Sequence, residues 1–182
     1  MTLGETQKAL FLDRDGVINI DHGYVSTIEE FTFTEGIFAL LHLFIAQGYI
    51  LFIVTNQSGI GRGYYESSDF EKLTTWMLKR FKEEGISIEA VHHCHHAPEE
   101  NCFCRKPEVG MIDAILFEHN IDLDHSWLIG DKQSDIDLAH NAQVAHTIAI
   151  GERMIENSEY YFDSVSACLC YFEQHKNSIF FQ

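Results

Sequence analysis

Ala9-Leu10-Phe11-Leu12-Asp13-Arg14-Asp15-Gly16-Val17 decides the fold, because a short apolar run stops abruptly at two aspartates separated by one residue. A buried strand of this kind delivers its last residues to one edge of a sheet, and the period-two spacing points both carboxylates to the same side of the chain. One acid can then act as nucleophile while the other handles protons. Asp-x-Asp alone equally describes two solvated acids in a turn, so the rest of the chain has to decide.

Working outward, apolar runs alternate with stretches of helical periodicity, the pattern of a doubly wound, mainly parallel α/β sheet. Strands are expected at residues 9–12, 49–54, 90–93, 127–129 and 147–150. Apolar residues at helical spacing mark residues 36–47, and a Ser-x-x-Glu capping box formed by Ser68 and Glu71 opens a helix over 68–84. Further helices fit 110–119 and 134–141, and the aromatic-rich tail from Gly151 reads as a final strand and helix without chemistry. The strands run into Asp13 and Asp15, then Thr55-Asn56-Gln57-Ser58, then a Cys/His segment, then Gly130-Asp131-Lys132. Ligands bind outside the carboxyl ends of such sheets, so these segments should converge there.

With 182 residues and 46% hydrophobic content, the chain suits a single domain with a core that needs no covalent staples. No stretch approaches a membrane span, and residues 1–8 lack a basic-then-apolar leader, so a soluble cytoplasmic protein is expected. The net charge of −16 argues against nucleic acid and anionic membranes as partners, since both rest on neutralising phosphates with Lys and Arg. Any phosphate it binds must be met by local charge or metal. Three of five cysteines, Cys94, Cys102 and Cys104, crowd one segment, which suggests a metal cluster rather than a disulfide framework. Cys168 and Cys170 read as small buried apolar side chains in a closing helix.

Asp13-Arg14-Asp15-Gly16-Val17, Thr55-Asn56-Gln57-Ser58-Gly59, Arg105-Lys106-Pro107 and Gly130-Asp131-Lys132-x-x-Asp135 occur in order at the expected strand ends. Together they resemble the haloacid dehalogenase superfamily of aspartate-nucleophile phosphotransferases, over roughly the whole chain up to Ile150. The chemistry has its own logic. Phosphate monoesters hydrolyse slowly because an anionic nucleophile and an anionic phosphoryl group repel, so cations must surround the ester first. Asp13 and Asp131 offer hard oxygens suited to Mg²⁺, and the resemblance adds the backbone carbonyl of Asp15. The resemblance implies that Asp13 attacks to give an aspartyl-phosphate and that Asp15 serves as general acid and base. It also implies that Lys106 and the Thr55 hydroxyl bind the phosphoryl oxygens. Asp135 either holds a metal-bound water or the lysine, or caps the helix near Ser134.

Cys94-His95-His96 followed by Cys102-Phe103-Cys104 supplies enough soft ligands for a closed, structural Cys₃His zinc site, with His92, His93, His95 and His96 all nearby. The superfamily's Cys-x-His pattern selects Cys94, His96, Cys102 and Cys104, with His95 as the alternative. Such a site would pin the loop delivering Arg105 and Lys106.

Zinc-loop members without a cap domain divide mainly into heptose-bisphosphate and histidinol-phosphate phosphatases. Asp21-His22-Gly23-Tyr24-Val25, Asn56-Gln57-Ser58-Gly59-Ile60-Gly61-Arg62-Gly63 and Gly110-Met111 resemble the heptose class. No long insertion follows either early motif, so no large cap is expected and short loops must select the substrate. The resemblance implies that Asp21, His22, Gly23 and Tyr24 line the sugar side, that Asn56, Gln57 and Ser58 contact substrate, and that Arg105 and Lys132 meet its anionic groups. Arg14 and Arg62 read as solvated or loop-fixing charges. The implied enzyme is a monomeric, magnesium-dependent sugar-bisphosphate phosphatase of nucleotide-activated heptose (lipopolysaccharide core) biosynthesis. The alternatives are a histidinol-phosphate phosphatase, then a polynucleotide 3′-phosphatase, and, in another class, a catalytically silent zinc-stabilised binding module.

Overall fold

The computed structural model describes residues 6–180. Its centre is a six-stranded sheet, all parallel, made by β1 (Ala9–Leu12), β2 (Ile50–Asn56), β3 (Ala90–Cys94), β4 (Trp127–Gly130), β5 (His146–Ile150) and β6 (Tyr160–Phe162), in the order β3-β2-β1-β4-β5-β6. The helices are α1 (Ile37–Ala46), α2 (Ser58–Gly61), α3 (Ser67–Glu83), α4 (Gly110–Glu118), α5 (Gln133–Asn141) and α6 (Val165–Phe180).

Alternation along β1 explains the layers. Leu10 and Leu12 pack with Leu40 and Phe44 of α1, Met77 of α3 and Phe172 of α6, while Ala9 and Phe11 pack on the opposite face with Ile112 of α4 and Leu138 of α5. Both faces are covered, which is why the strands read as continuous apolar runs. The chain leaves β1 towards β2 on one side and returns beside it as β4, so strand order reverses between β1 and β4. A crevice opens at the carboxyl edge of such a switch point. Asp13 lies there, its N–H donating to the Ile129 carbonyl at 2.9 Å.

Several elements depart from expectation. β2 continues through Thr55 and Asn56 and β3 through Cys94, paired as Thr55 with His93 and Asn56 with Cys94. Helix α3 starts at Ser67, and its box is closed by Asp69 accepting from the Glu66 N–H at 3.1 Å, so Ser68 and Glu71 do not form the box. The glycine-rich segment after Gln57 forms the short helix α2. In α6, Cys168 is buried as expected but Cys170 is exposed. Among the described residues, no helix is long and apolar enough to cross a membrane.

Candidate active site

Three carboxylates from two strand ends meet one another: Asp13 after β1, Asp131 after β4 and Asp135 in the first turn of α5 bring oxygens within 4.8 Å. Lys106 enters between two of them, its Nζ 2.8 Å from Asp13 Oδ1 and 2.6 Å from Asp135 Oδ1, and also donates to the Val54 carbonyl at 2.9 Å. All three ammonium protons are thereby placed. Asp13 Oδ1 also accepts the Arg14 N–H at 2.8 Å, so the donors to this carboxylate fall on Oδ1 and Oδ2 remains for attack. Burial raises the Asp13 pKa, but Lys106 and then Lys132 outweigh it and hold the acid below its ordinary value. Burial lowers that of Lys106, and Asp13 and Asp135 more than reverse this. Both groups stay charged at neutral pH.

Asp135 turns out to do two of the jobs open to it in the sequence. Oδ1 holds Lys106, and Oδ2 accepts the N–H groups of Asp131 and Lys132 at 3.1 and 3.0 Å, closing the start of α5. Asp131 is less provided for. Its Oδ1 is buried without a hydrogen-bond partner, with Lys132 Nζ at 3.5 Å, and burial followed by the Asp13 charge pushes its carboxyl up to about 7. An orphaned hard oxygen among like charges is the environment a divalent cation relieves. Gly16, at φ 90°, leaves room for that carboxylate, which any Cβ there would strike.

Asp15 is clamped from three directions. Arg14, 1% exposed, donates from Nε to Oδ2 at 3.2 Å and from Nη2 to Oδ1 at 2.9 Å, and also from Nη2 to the Val25 carbonyl at 2.6 Å. Asn19 donates to Oδ1 at 3.0 Å and Gln57 to Oδ2 at 2.9 Å. Arg14 is therefore a loop-fixing charge, fully buried. Arg62, facing Glu99 of the Cys/His loop at 3.5 Å, fixes a loop at the surface.

A cavity of about 250 Å³ opens beside Asp15, walled by Asp21, Gly23, Tyr24, Asn56, Gln57, Ser58, Tyr65, Arg105, Lys132 and Ser134. His22, exposed on the same turn, does not line it. The turn is closed by Asp21 Oδ1 accepting the Gly23 N–H at 2.8 Å, and Lys132 Nζ reaches Asp21 Oδ2 at 3.3 Å. Arg105 Nη1 is buried and has no hydrogen-bond partner. The two amides expected to face substrate line the cavity and also have protein partners. Asn56 grips the Lys106 backbone at both ends, accepting its N–H at 3.0 Å and donating to its carbonyl at 3.2 Å, while Gln57 is buried in a network with Asp15, Thr55 and Tyr65. Tyr65, which donates to Gln57, carried no local sequence signal.

Cys94, His96, Cys102 and Cys104 form a second group able to hold a metal, with His96 and not His95 in the set. Cys94 Sγ lies 3.4 Å from Cys102 Sγ, and His96 Nδ1 lies 3.3 Å from Cys104 Sγ. Burial pushes the Cys94 thiol far up and so keeps it protonated, whereas coordination to a metal removes the proton. The loop is stitched to the site, with the Gln57 N–H donating to the Cys94 carbonyl at 2.7 Å and the Gly61 N–H to the His95 carbonyl at 2.8 Å.

A family model described as HAD-hyrolase-like matches residues 103–152. The chain is 51% identical over 146 residues to the D-glycero-beta-D-manno-heptose-1,7-bisphosphate 7-phosphatase of Helicobacter pylori, covering 80% of this chain and 84% of that protein. It is 46% identical over 168 residues to the D-glycero-alpha-D-manno-heptose-1,7-bisphosphate 7-phosphatase of Campylobacter jejuni, covering 92% of this chain and 96% of that one. Among solved structures, it is similar in fold to the D,D-heptose 1,7-bisphosphate phosphatase of B. bronchiseptica complexed with magnesium and phosphate, with a TM-score of 0.80 at 23% identity over 93% of this chain and 99% of that one.

Proposed function

Since the chain belongs to the haloacid dehalogenase superfamily, in its branch of heptose-1,7-bisphosphate 7-phosphatases, we propose that it hydrolyses the 7-phosphate of D-glycero-D-manno-heptose 1,7-bisphosphate. Asp13 Oδ2 attacks phosphorus and the ester P–O bond breaks, with Asp15 giving its proton to the departing sugar oxygen. Asp15 then takes a proton from water as that water attacks the aspartyl-phosphate, releasing inorganic phosphate and restoring Asp13. Thr55 donates to a phosphoryl oxygen, and Lys106 keeps Asp13 ionised and oriented. Asp13, Asp131 and the Asp15 carbonyl would hold Mg²⁺, consistent with the orphaned Asp131 oxygen. When bound, the ion neutralises charge on the phosphoryl group. Cys94, His96, Cys102 and Cys104 would hold a structural zinc.

One observation carries the substrate reading. Arg105, with an unpaired buried guanidinium nitrogen, lines the same cavity as Lys132, directly beside the acid that serves the leaving group. A second anionic group on the leaving sugar fits this pair, whereas the imidazole and amino alcohol of histidinol phosphate would face two fixed cations. Arg105 can meet a phosphate bidentately, and Asp21, Gly23, Tyr24 and Ser58 supply the sugar wall. The same reading makes the protein a cytoplasmic, single-domain monomer serving nucleotide-activated heptose and lipopolysaccharide synthesis. Arg105→Ala should lower kcat/KM for the bisphosphate by about 10- to 100-fold, the usual worth of a charge-assisted hydrogen bond, while affecting a small generic ester far less. Equal loss on both substrates would remove Arg105 from the second phosphate.

A further inference from the structure

Gln57 is only 2% exposed, yet it sits between the groups that do the chemistry. Its Nε2 donates to Asp15 Oδ2 at 2.9 Å and to Thr55 Oγ1 at 2.9 Å, and its Oε1 accepts the Tyr65 hydroxyl at 2.6 Å. The amide has one orientation that fits. A carboxylate only accepts, so the NH₂ end must face Asp15 and the oxygen is left for Tyr65, whose hydroxyl proton is then committed to it. Burial pushes the Tyr65 phenol up to about 12, so it remains a donor throughout the working range of pH.

Two consequences follow for the reacting groups. Thr55 has a single hydroxyl proton, and because its oxygen already accepts from Gln57, that proton is turned away from the amide and is available to a phosphoryl oxygen. Asp15, for its part, is approached by Arg14 and Gln57 on Oδ2 and by Arg14 and Asn19 on Oδ1, which fixes the carboxylate plane. The backbone is built to admit the tyrosine. Any side chain at Gly59 would collide with the Tyr65 ring, and the Tyr64 N–H donates to the Gly59 carbonyl at 2.8 Å to close the turn that carries it.

We propose that Tyr65 and Gln57 are positioning residues that act as a relay, Tyr65 locking the Gln57 amide so that it aims the Thr55 proton at the phosphoryl group and the Asp15 carboxyl at the leaving oxygen. The relay rests on the phosphatase reading above and adds Tyr65, which reaches the reacting groups only through Gln57. It has a signature a merely structural role lacks. Aiming the general acid matters for an ester whose alcohol departs only with a proton, and little for p-nitrophenyl phosphate, whose phenolate leaves unaided. Since kcat/KM reports steps up to the first irreversible one, it isolates this event from later hydrolysis of the aspartyl-phosphate.

The test compares kcat/KM for the heptose bisphosphate, a small alkyl phosphate and p-nitrophenyl phosphate in wild type, Tyr65→Phe, Gln57→Met and the double variant, with melting and zinc content checked for each. Wild-type turnover of all three esters secures the underlying reading, and a wild type inactive on every one would overturn that reading first. Tyr65→Phe is expected to lose about tenfold more on both alkyl esters than on p-nitrophenyl phosphate, the worth of one hydrogen bond. Gln57→Met should show the same selective loss, and adding Tyr65→Phe to it should change nothing further. Equal losses on all esters, no loss, or a Tyr65→Phe effect that persists undiminished beside Gln57→Met would overturn the relay, the last marking Tyr65 as a direct substrate contact.

Discussion

Asp131 concentrates the electrostatic tension of the site. Burial and then the Asp13 charge raise its carboxyl to about 7, against Lys132 pulling it down, and its Oδ1 lacks a hydrogen bond. For an acid raised in the folded state, the metal-free protein loses stability as pH climbs from the ordinary carboxylate range through about 7, because ionisation is easier in the unfolded chain. A divalent cation binds the ionised form and recovers that loss. Mg²⁺ should therefore raise the melting temperature more at about pH 8 than at about pH 6, with affinity climbing to about neutrality and then levelling. Thermal melts with and without Mg²⁺ at the two pH values check this, and equal shifts would contradict it.

At the scale of elements, the Cys/His loop acts as a brace. It leaves β3 at Cys94, which pairs with Asn56 of β2, and it carries Arg105 and Lys106 back to the carboxyl edge, where Asn56 grips the Lys106 backbone. Purified protein should hold about one zinc per chain. Cys102→Ser should release it and lower activity through the displaced Arg105 and Lys106, with the Asp13 region intact. Elemental analysis beside kinetics reads both, and full activity without zinc would remove the brace.

The same elements show what was legible in the sequence. Buried strands announce themselves as apolar runs, and although the edge strand β3 is only half-buried, all five expected strands are present, with the tail's final strand and helix. Their ends were missed where the ladder outlasts the hydrophobicity, at Thr55, Asn56, Cys94 and Gly130, because strand-end polar residues are placed there for chemistry. Helix α3 starts one residue ahead of the expected Ser68, because Glu66 and Asp69 form the capping box in place of Ser68 and Glu71. Asp13, Lys106 and Asp131 were visible as ordered motifs and do converge. Asn56 and Gln57 are expected to contact substrate, but their further grip on Lys106 and on Tyr65, like the burial of Arg14 against the Val25 carbonyl, depends on tertiary partners that lie outside any motif.

Across the whole molecule, stability and chemistry occupy opposite ends of the sheet. Phe44 lies at the amino edge, its ring 5.3 Å from Tyr49, 6.0 Å from Trp127, 5.8 Å from Phe172 and 5.2 Å from Phe180. Phe44→Ala should cost about 3–5 kcal/mol through lost burial and a residual cavity. Denaturant unfolding should register that loss while the folded fraction keeps its kcat/KM, and a parallel fall in kcat/KM would show the two ends to be coupled. At the carboxyl edge, Arg14, Lys106 and Lys132 are paired with site carboxylates while Arg105 keeps a buried nitrogen without a partner, so in a chain of net charge −16 the cations here are set by local pairing. We propose that the crevice at this edge takes a sugar bearing a second phosphate. Side-by-side kcat/KM for D-glycero-D-manno-heptose 1,7-bisphosphate and histidinol phosphate, with the released phosphate assigned by position, tests it most directly. A large preference for the bisphosphate, with loss of the 7-phosphate alone, is expected. Equal turnover, a preference for histidinol phosphate, or release of the 1-phosphate would contradict it.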